Sequence, residues 1–294
     1  GQEFLKEYGY IPFDKSVEVE TVSKAMEFAI ADACLVKVAE KLGDAEALEY
    51  FGERSQSWKK HYDAETGFVR GRASDGSWRT PFDPFKAIHM KSDFTEGNAW
   101  QYTWLVPQDP QGLIEIMGGA EPFAAKLDEF FVAEGDLGPD ANDVTGLIGQ
   151  YAHGNEPSHH VAYFYNYVDQ QYKCAEKVRY ILDELYFDNH EGVCGNEDAG
   201  QMSAWYVLSA VGLYQVHPAA GEFQFGSPAV KKAVLNVGGG KTFTVVAENN
   251  SPENIYILGA ALNGKTLDRT YVTYDEIMAG GVLEFTMGAQ PQTL

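Results

Sequence analysis

The sequence is short of positive charge, short of cysteine and empty of long apolar runs. Its 22 Lys and Arg face 43 Asp and Glu, a formal net charge of −21. Nucleic-acid backbones are gripped by Lys and Arg, so the balance argues against that partner and favours a neutral or cationic ligand or a metal cation. Three cysteines, Cys34, Cys174 and Cys194, make neither a disulfide framework nor a CxxC zinc site. Cys34, in the run ADACLV, reads as a buried free thiol. No stretch approaches the roughly 20 apolar residues of a membrane helix. The start, GQEFLK, has no basic segment leading into an apolar one, so no signal peptide is expected in this stretch. Also missing are GxSxG, a P-loop, a GxGxxG opening a βαβ unit and HExxH; EGDLGPD (134–140) lacks the ligand alternation and closing Glu of an EF-hand.

What is present has two grammars. Helical spacing predicts helices over 21–42, with Thr21 or Ser23 as cap and Gly43 as stop, and over 45–62, 98–105, 111–118, 121–133, 159–168, 170–185 and 201–212. GFVRGR through TPFDP (67–84) reads as a long loop. Beyond YQVHP (214–218) come short β-branched and aromatic runs, 223–225, 229–237, 243–246, 255–257 and 282–286, separated by turns such as GGGK and NGK. The expected class is therefore α+β and mostly α. Helical hairpins occupy 1–215 and a small antiparallel β domain occupies 216–294.

Three stretches place a carboxylate beside Asn and Gly just ahead of an apolar or aromatic run: TEGNAW (95–100), HGNEPSHH (153–160) and GNEDAGQMSAW (195–205). Asp198 and Gln201 have the spacing of a capping box. Two readings stand: Asp198 only caps the helix, or it is a carboxylate kept ionised by the helix N-terminus, as a general base must be. Glu96 has Phe94 two residues before it and Trp100 four after. Apolar surroundings would raise its pKa, which suits a general acid; an exposed turn carboxylate is the plainer alternative. Ser158 reads as an N-cap. His159 and His160, being adjacent, would project apart on a helix rather than share one ion, whereas Asn155 and Glu156 are hard oxygen donors of the kind Ca²⁺ takes. Separated carboxylates among many aromatic rings are the minimal equipment of a glycosidase, although core packing accounts for most rings. On the residues alone, a helical-hairpin carbohydrate enzyme or binding protein is indicated.

EGNAWQYTW (96–104), PQD (107–109), GLI (112–114), MGG (117–119), HGNEPSHH and GNEDAGQMSAWYVLSAVGLY (195–214) together resemble glycoside hydrolase family 92, the calcium-dependent, inverting exo-α-mannosidases. GYIP (9–12), GFVRGR, FDP (82–84), FGSP (225–228) and LEFTMG (283–288) extend the resemblance over nearly the whole chain. It implies a partial (α/α)₆ toroid followed by the β domain. It also implies that this chain is the C-terminal part of a longer bacterial enzyme, secreted, periplasmic or surface-attached, and inactive or weak by itself. Carried over by position, Glu96 is the general acid and Asp198 the general base. Asn155, Glu156 and Asp198 fall where the family holds Ca²⁺. Trp100, Arg72, Asp83, His153 and Glu197 are expected to face the substrate, with His153 and Gly154 at the place of leaving-group selection. Asn196 stands where some members carry a second Asp. Two alternatives remain: a non-catalytic carbohydrate-binding or scaffold fragment, and another (α/α)₆ glycosidase acting on glucosides or trehalose without calcium.

Overall fold

A computed structural model describes residues 1–17 and 19–292. The chain is mixed helix and sheet and divides into two compact units. Residues 1–158 with 218–220 form the first, and residues 159–217 with 221–294 the second. The units therefore divide at a different place from the change of grammar at 216.

In the first unit, α1 (Gln2–Tyr8) precedes a helical hairpin of α2 (Thr21–Leu42) and α3 (Ala45–Ser55). Gly43, at φ 68, ends α2 by donating its N–H to the carbonyls of Ala39 and Glu40. Asp44 caps α3 by accepting the Ala47 N–H at 3.0 Å. Arg54 Nε reaches Asp32 Oδ2 at 3.0 Å across the hairpin, so the one buried carboxylate on this face of α2 has a cation. Helix α2 is not capped by Thr21 or Ser23. Its N-cap is Glu20, in the left-handed region at φ 61, and the Glu20 carboxylate accepts from the Met90 N–H and the Thr95 hydroxyl instead.

The predicted helix over 45–62 ends early and gives way to a 3₁₀ turn, Ser57–His61. The long loop contains a minimal hairpin, β1 (Tyr62–Asp63) with β2 (Phe68–Val69). Helices α4 (Ala99–Thr103), α5 (Pro110–Ile116) and α6 (Ala120–Phe130) follow, then β3 (Leu147–Ile148) paired with β4 (Tyr151–Ala152). Asp109 as N-cap and Pro110 at the first helical position start α5. The rings of Trp58, Trp104, Phe123, Phe130 and Tyr151 are fully buried in this unit. They meet at angles, as Trp104 does on Phe123 at 5.3 Å, which suits the ring quadrupoles.

In the second unit, residues Val161–Val168 form a 3₁₀ helix where an α-helix was expected. Aromatic and β-branched side chains crowd this run, VAYFYNYV, and all but Tyr167 are buried. Helices α7 (Gln171–Glu184) and α8 (Gln201–Val211) pack with a three-stranded sheet, order β11-β6-β5, and a five-stranded sheet, order β10-β9-β12-β8-β7. The strands are β5 (Leu213–Tyr214), β6 (Glu222–Phe225), β7 (Lys232–Gly238), β8 (Lys241–Glu248), β9 (Tyr256–Leu262), β10 (Lys265–Leu267), β11 (Tyr271–Thr273) and β12 (Gly281–Gly288). Helix α9 (Tyr274–Ala279) starts at a Thr273/Glu276 capping box.

The sheet is not purely antiparallel, because β12 runs parallel to β8. Such a pair needs a crossover, and here β9, β10, β11 and α9 supply it. Buried amides explain why the helices before residue 216 belong with the sheets after it. Asn166 Nδ2 donates to the Phe225 carbonyl and Gln171 Nε2 to the Gly226 carbonyl, both at 2.8 Å. Arg179 does the same for Pro228 at 3.0 Å and for Asn250 Oδ1 at 2.8 Å. The core beneath is Phe225, Phe243, Val245, Leu283 and Phe285. Cys174 is the buried thiol, while Cys34 is only half-buried. Among the described residues no helix is long and apolar enough to cross a membrane.

Candidate active site

Glu96 sits in a tight turn with φ 46, a left-handed position costing a non-glycine residue on the order of 1 kcal/mol. The turn is held on its exit side by Asn98, whose Oδ1 accepts from the N–H groups of Trp100 and Gln101 while Gln101 Oε1 accepts the Asn98 N–H at 2.8 Å. This reciprocal cap starts α4. Asn98 Nδ2 also donates to Gln150 Oε1 at 3.0 Å, and Gln101 Nε2 donates to the Gln150 carbonyl at 2.6 Å. These buried amides tie the Glu96 turn to the chain that opens the 153–158 loop.

A second tie runs from that loop itself. Asn155, buried, donates from Nδ2 to the Glu96 carbonyl oxygen at 2.9 Å, and its Oδ1 accepts the Glu156 N–H at 3.1 Å. Two of the three motif loops are therefore in direct contact within the first unit. Glu156 is exposed. Ser158 does not cap a helix that follows; its hydroxyl accepts the Ala152 N–H at 3.2 Å and closes its own loop. His153 is fully buried, 2.8 Å from the Tyr151 hydroxyl through Nδ1.

The other residues expected to face the substrate in this unit have the following surroundings. Trp100 is 3% exposed and packs on Phe68, Phe85 and Phe130, so its ring belongs to the core. Arg72 organises its own loop: Nε donates to the Gly76 carbonyl, Nη1 to the Lys60 carbonyl, and the guanidinium lies over Tyr10 and Trp78. Asp83 accepts the Phe85 N–H at 3.0 Å, fixing the turn whose Phe85 carbonyl receives Asn98 Nδ2.

In the second unit Asp198 is exposed and left-handed, φ 52, as is Ala199, φ 54. The capping-box expectation fails here. Asp198–Gly200 is a 3₁₀ turn and the N-cap of α8 is Gly200, with no side-chain cap bond. Two consecutive left-handed residues turn the chain before the helix begins, so the Asp198 carboxylate cannot reach the first amides in the usual way. Glu197 takes the capping work, with Oε1 accepting the Ser203 N–H at 3.0 Å. His159 and His160 do diverge: His159 Nδ1 lies 3.0 Å from Gln201 Nε2, and His160 meets Phe164 edge-on at 4.9 Å.

Three residues not singled out in the sequence surround the Glu96 turn. Glu20, Glu27 and Tyr102 line a cavity of about 690 Å³ with Ser23 and Thr95. Glu27 is exposed as a residue, yet its carboxyl pKa is raised, first by desolvation of the carboxyl and second by the charge of Glu156. The Tyr102 phenol is raised strongly, chiefly by burial and further by Glu27, Glu20 and Glu96, so it stays protonated. Tyr102 falls within the EGNAWQYTW motif, whereas Glu20 and Glu27 carry no signal in the sequence.

As metal donors, Asn155 and Glu156 offer an amide oxygen and a carboxylate in one turn, the oxygen chemistry a hard cation takes. Among the described residues no group of three or more His, Cys, Asp or Glu is arranged to hold a metal.

Residues 1–289 match the glycosyl hydrolase family 92 catalytic domain. The chain belongs to this family. Among solved family 92 structures, an alpha-mannosidase of Bacteroides thetaiotaomicron in complex with mannoimidazole superposes with a TM-score of 0.93 at 43% identity, over 98% of this chain and 39% of that one. A family 92 inverting mannosidase of the same bacterium matches with a TM-score of 0.88 at 38% identity, over 99% of this chain and 40% of that one. An uncharacterized secreted glycosidase of Arthroderma benhamiae is 28% identical over 97% of this chain and 38% of its own length. This family 92 chain thus spans about two fifths of the relatives it matches.

Proposed function

We propose that the full-length protein containing this chain is a glycoside hydrolase that removes terminal α-linked mannose from glycans by single-step inversion. The observation that carries the reading is the 2.9 Å hydrogen bond from Asn155 to Glu96, which joins the loop of oxygen donors to the turn bearing the acid. Similarity to an alpha-mannosidase in complex with mannoimidazole supports mannose as the sugar. Glu96 protonates the glycosidic oxygen as the leaving group departs. Asp198, a carboxylate committed to no helix cap, takes the proton of the attacking water. With Asn196 beside it in place of a second Asp, Asp198 performs this step alone.

Ca²⁺ is proposed to be held by Asn155, Glu156 and Asp198, and when bound it supplies a Lewis-acidic anchor for sugar hydroxyls. Asn155 then has two duties: its oxygen serves the cation and its nitrogen fixes the Glu96 backbone. Arg72, Asp83, Trp100, His153 and Glu197 are proposed to contribute to binding the sugar. The helices of residues 1–215 are proposed to be part of an (α/α)₆ toroid, and the protein to be bacterial, like the Bacteroides relatives. It is proposed to be secreted, periplasmic or surface-attached, a reading that the relative described as a secreted glycosidase supports. The test is hydrolysis of α-mannosides by the full-length chain with the anomer of the product followed by NMR. Release of α-mannose first, or hydrolysis of glucosides in preference, would sink the reading.

A further inference from the structure

Tyr102 brackets Glu96 from both sides of the turn. Its ring stacks on Phe94 at 5.5 Å, its hydroxyl donates to the Thr95 carbonyl at 2.7 Å, and its edge lies against Gly97 so closely that a Cβ there would stand 3.0 Å from Cε2. Residues 94, 95 and 97 are thus all fixed to one ring, and the residue they leave between them is Glu96. The same turn is buttoned to the start of α2, where the Thr95 N–H donates to Ser23 Oγ at 2.7 Å and the Thr95 hydroxyl donates to Glu20 Oε2 at 3.0 Å. Apart from the Gly97 contact, these lie on the entry side of a left-handed Glu96, the side that Asn98 does not hold.

A left-handed non-glycine residue persists only where its surroundings over-determine it. Around Glu96 the ring of Tyr102 supplies the post and its hydroxyl supplies the lock. The phenol pKa is raised, chiefly by burial and also by Glu27, Glu20 and Glu96, against a hydrogen bond with Ser23 that acts to lower it. A neutral hydroxyl can donate, as its bond to the Thr95 carbonyl requires.

We infer that Tyr102, through its bond to the Thr95 carbonyl, is the positioning residue that sets the Glu96 carboxyl for proton delivery to the leaving group. This rests on the proposed role of Glu96 as general acid. A residue that only stabilises the fold slows every substrate alike. One that aims the acid matters in proportion to how badly the leaving group needs a proton. A mannose disaccharide needs it, whereas 2,4-dinitrophenyl mannoside, whose phenolate leaves unaided, does not.

The test uses the full-length chain, with wild type, Glu96→Gln, Tyr102→Phe, Ser23→Ala and the Tyr102→Phe/Glu96→Gln double variant on both substrates. Tyr102→Phe keeps the ring and removes only the lock; Ser23→Ala loosens the same Thr95 from α2 and serves if the tyrosine variant does not fold. General acid catalysis contributes on the order of 100- to 10,000-fold, and misaiming forfeits part of it. Tyr102→Phe is therefore expected to lose about tenfold or more in kcat on the disaccharide, with KM little changed, and under twofold on the dinitrophenyl substrate. The double variant is expected to be no slower than Glu96→Gln alone. Equal losses on both substrates, or a double variant much slower than the single one, would overturn the inference while leaving Glu96 its role. If Glu96→Gln itself fails to discriminate between the substrates, the acid assignment falls and the inference falls with it.

Discussion

Asn155 donates its side-chain amide to the backbone carbonyl of Glu96 across 59 residues of sequence, at 2.9 Å, with the Asn155 side chain buried. A part-buried carbonyl that loses its donor is left with some of the cost of leaving water, so this single contact makes the geometry of one loop depend on the other.

Replacing Asn155 by Asp retains an oxygen for a cation and removes the donor, setting a carboxylate against a carbonyl. The expected result is a protein destabilised by about 1–3 kcal/mol and slowed on mannosides even at saturating calcium. Thermal unfolding and kcat measured together check this. Wild-type kcat in Asn155→Asp would show that the tie does not govern the acid.

Glu96→Gln and Asp198→Asn are each expected to reduce kcat by about 100- to 10,000-fold in the full-length chain. Asp198→Asn should leave the melting temperature nearly unchanged, because Asp198 does not cap α8. A large drop in melting temperature for Asp198→Asn would return that residue to a structural role.

Chelation by EDTA is expected to abolish mannoside hydrolysis and calcium to restore it. Calorimetric titration of calcium into the metal-free protein should show binding that Glu156→Ala weakens at least tenfold. Activity indifferent to chelation would remove the cation from the scheme.

Stability should depend on His61. It is fully buried, its Nδ1 lies 3.3 Å from the Arg70 carbonyl and, among the described residues, its Nε2 has no partner. Burial, first, and the nearby charge of Arg72 lower its pKa from 6.5 to about 4. A depressed folded-state value means the unfolded chain binds the proton first as pH falls. The contribution is complete above pH 6.5 and is lost progressively down to about pH 4, a span worth about 3 kcal/mol. Melting curves between pH 7 and 4 should decline, and His61→Gln should flatten them. An unchanged slope in the variant would assign the acid sensitivity elsewhere.

The hairpin of α2 and α3 was legible because its signals are local: Gly43 can take a left-handed φ, and Asp44 is a good cap. The strands β6 to β9 and β12 were legible from β-branched and aromatic runs between glycine turns. Other elements were decided by neighbours distant in sequence. Residues 161–168 wind as a 3₁₀ helix with their rings buried, and β12 inserts between β9 and β8, parallel to β8, only because a long crossover brings it back. Asp198 had the spacing of a cap, but two left-handed residues after Glu197 gave that work to Glu197.

The sequence by itself determined the family, because that is carried by long, ordered motifs, and it determined the helices and strands whose start and stop signals lie within a turn of the element. Tertiary structure alone decided which side chains hold the Glu96 turn. Tyr102, Ser23, Glu20, Gln150 and Asn155 come from three separate stretches of chain, and none announces its partner by spacing. A hydrogen bond between distant residues exists only once packing has paid the entropy of closing the loops between them, and pattern along a chain records nothing of that closure.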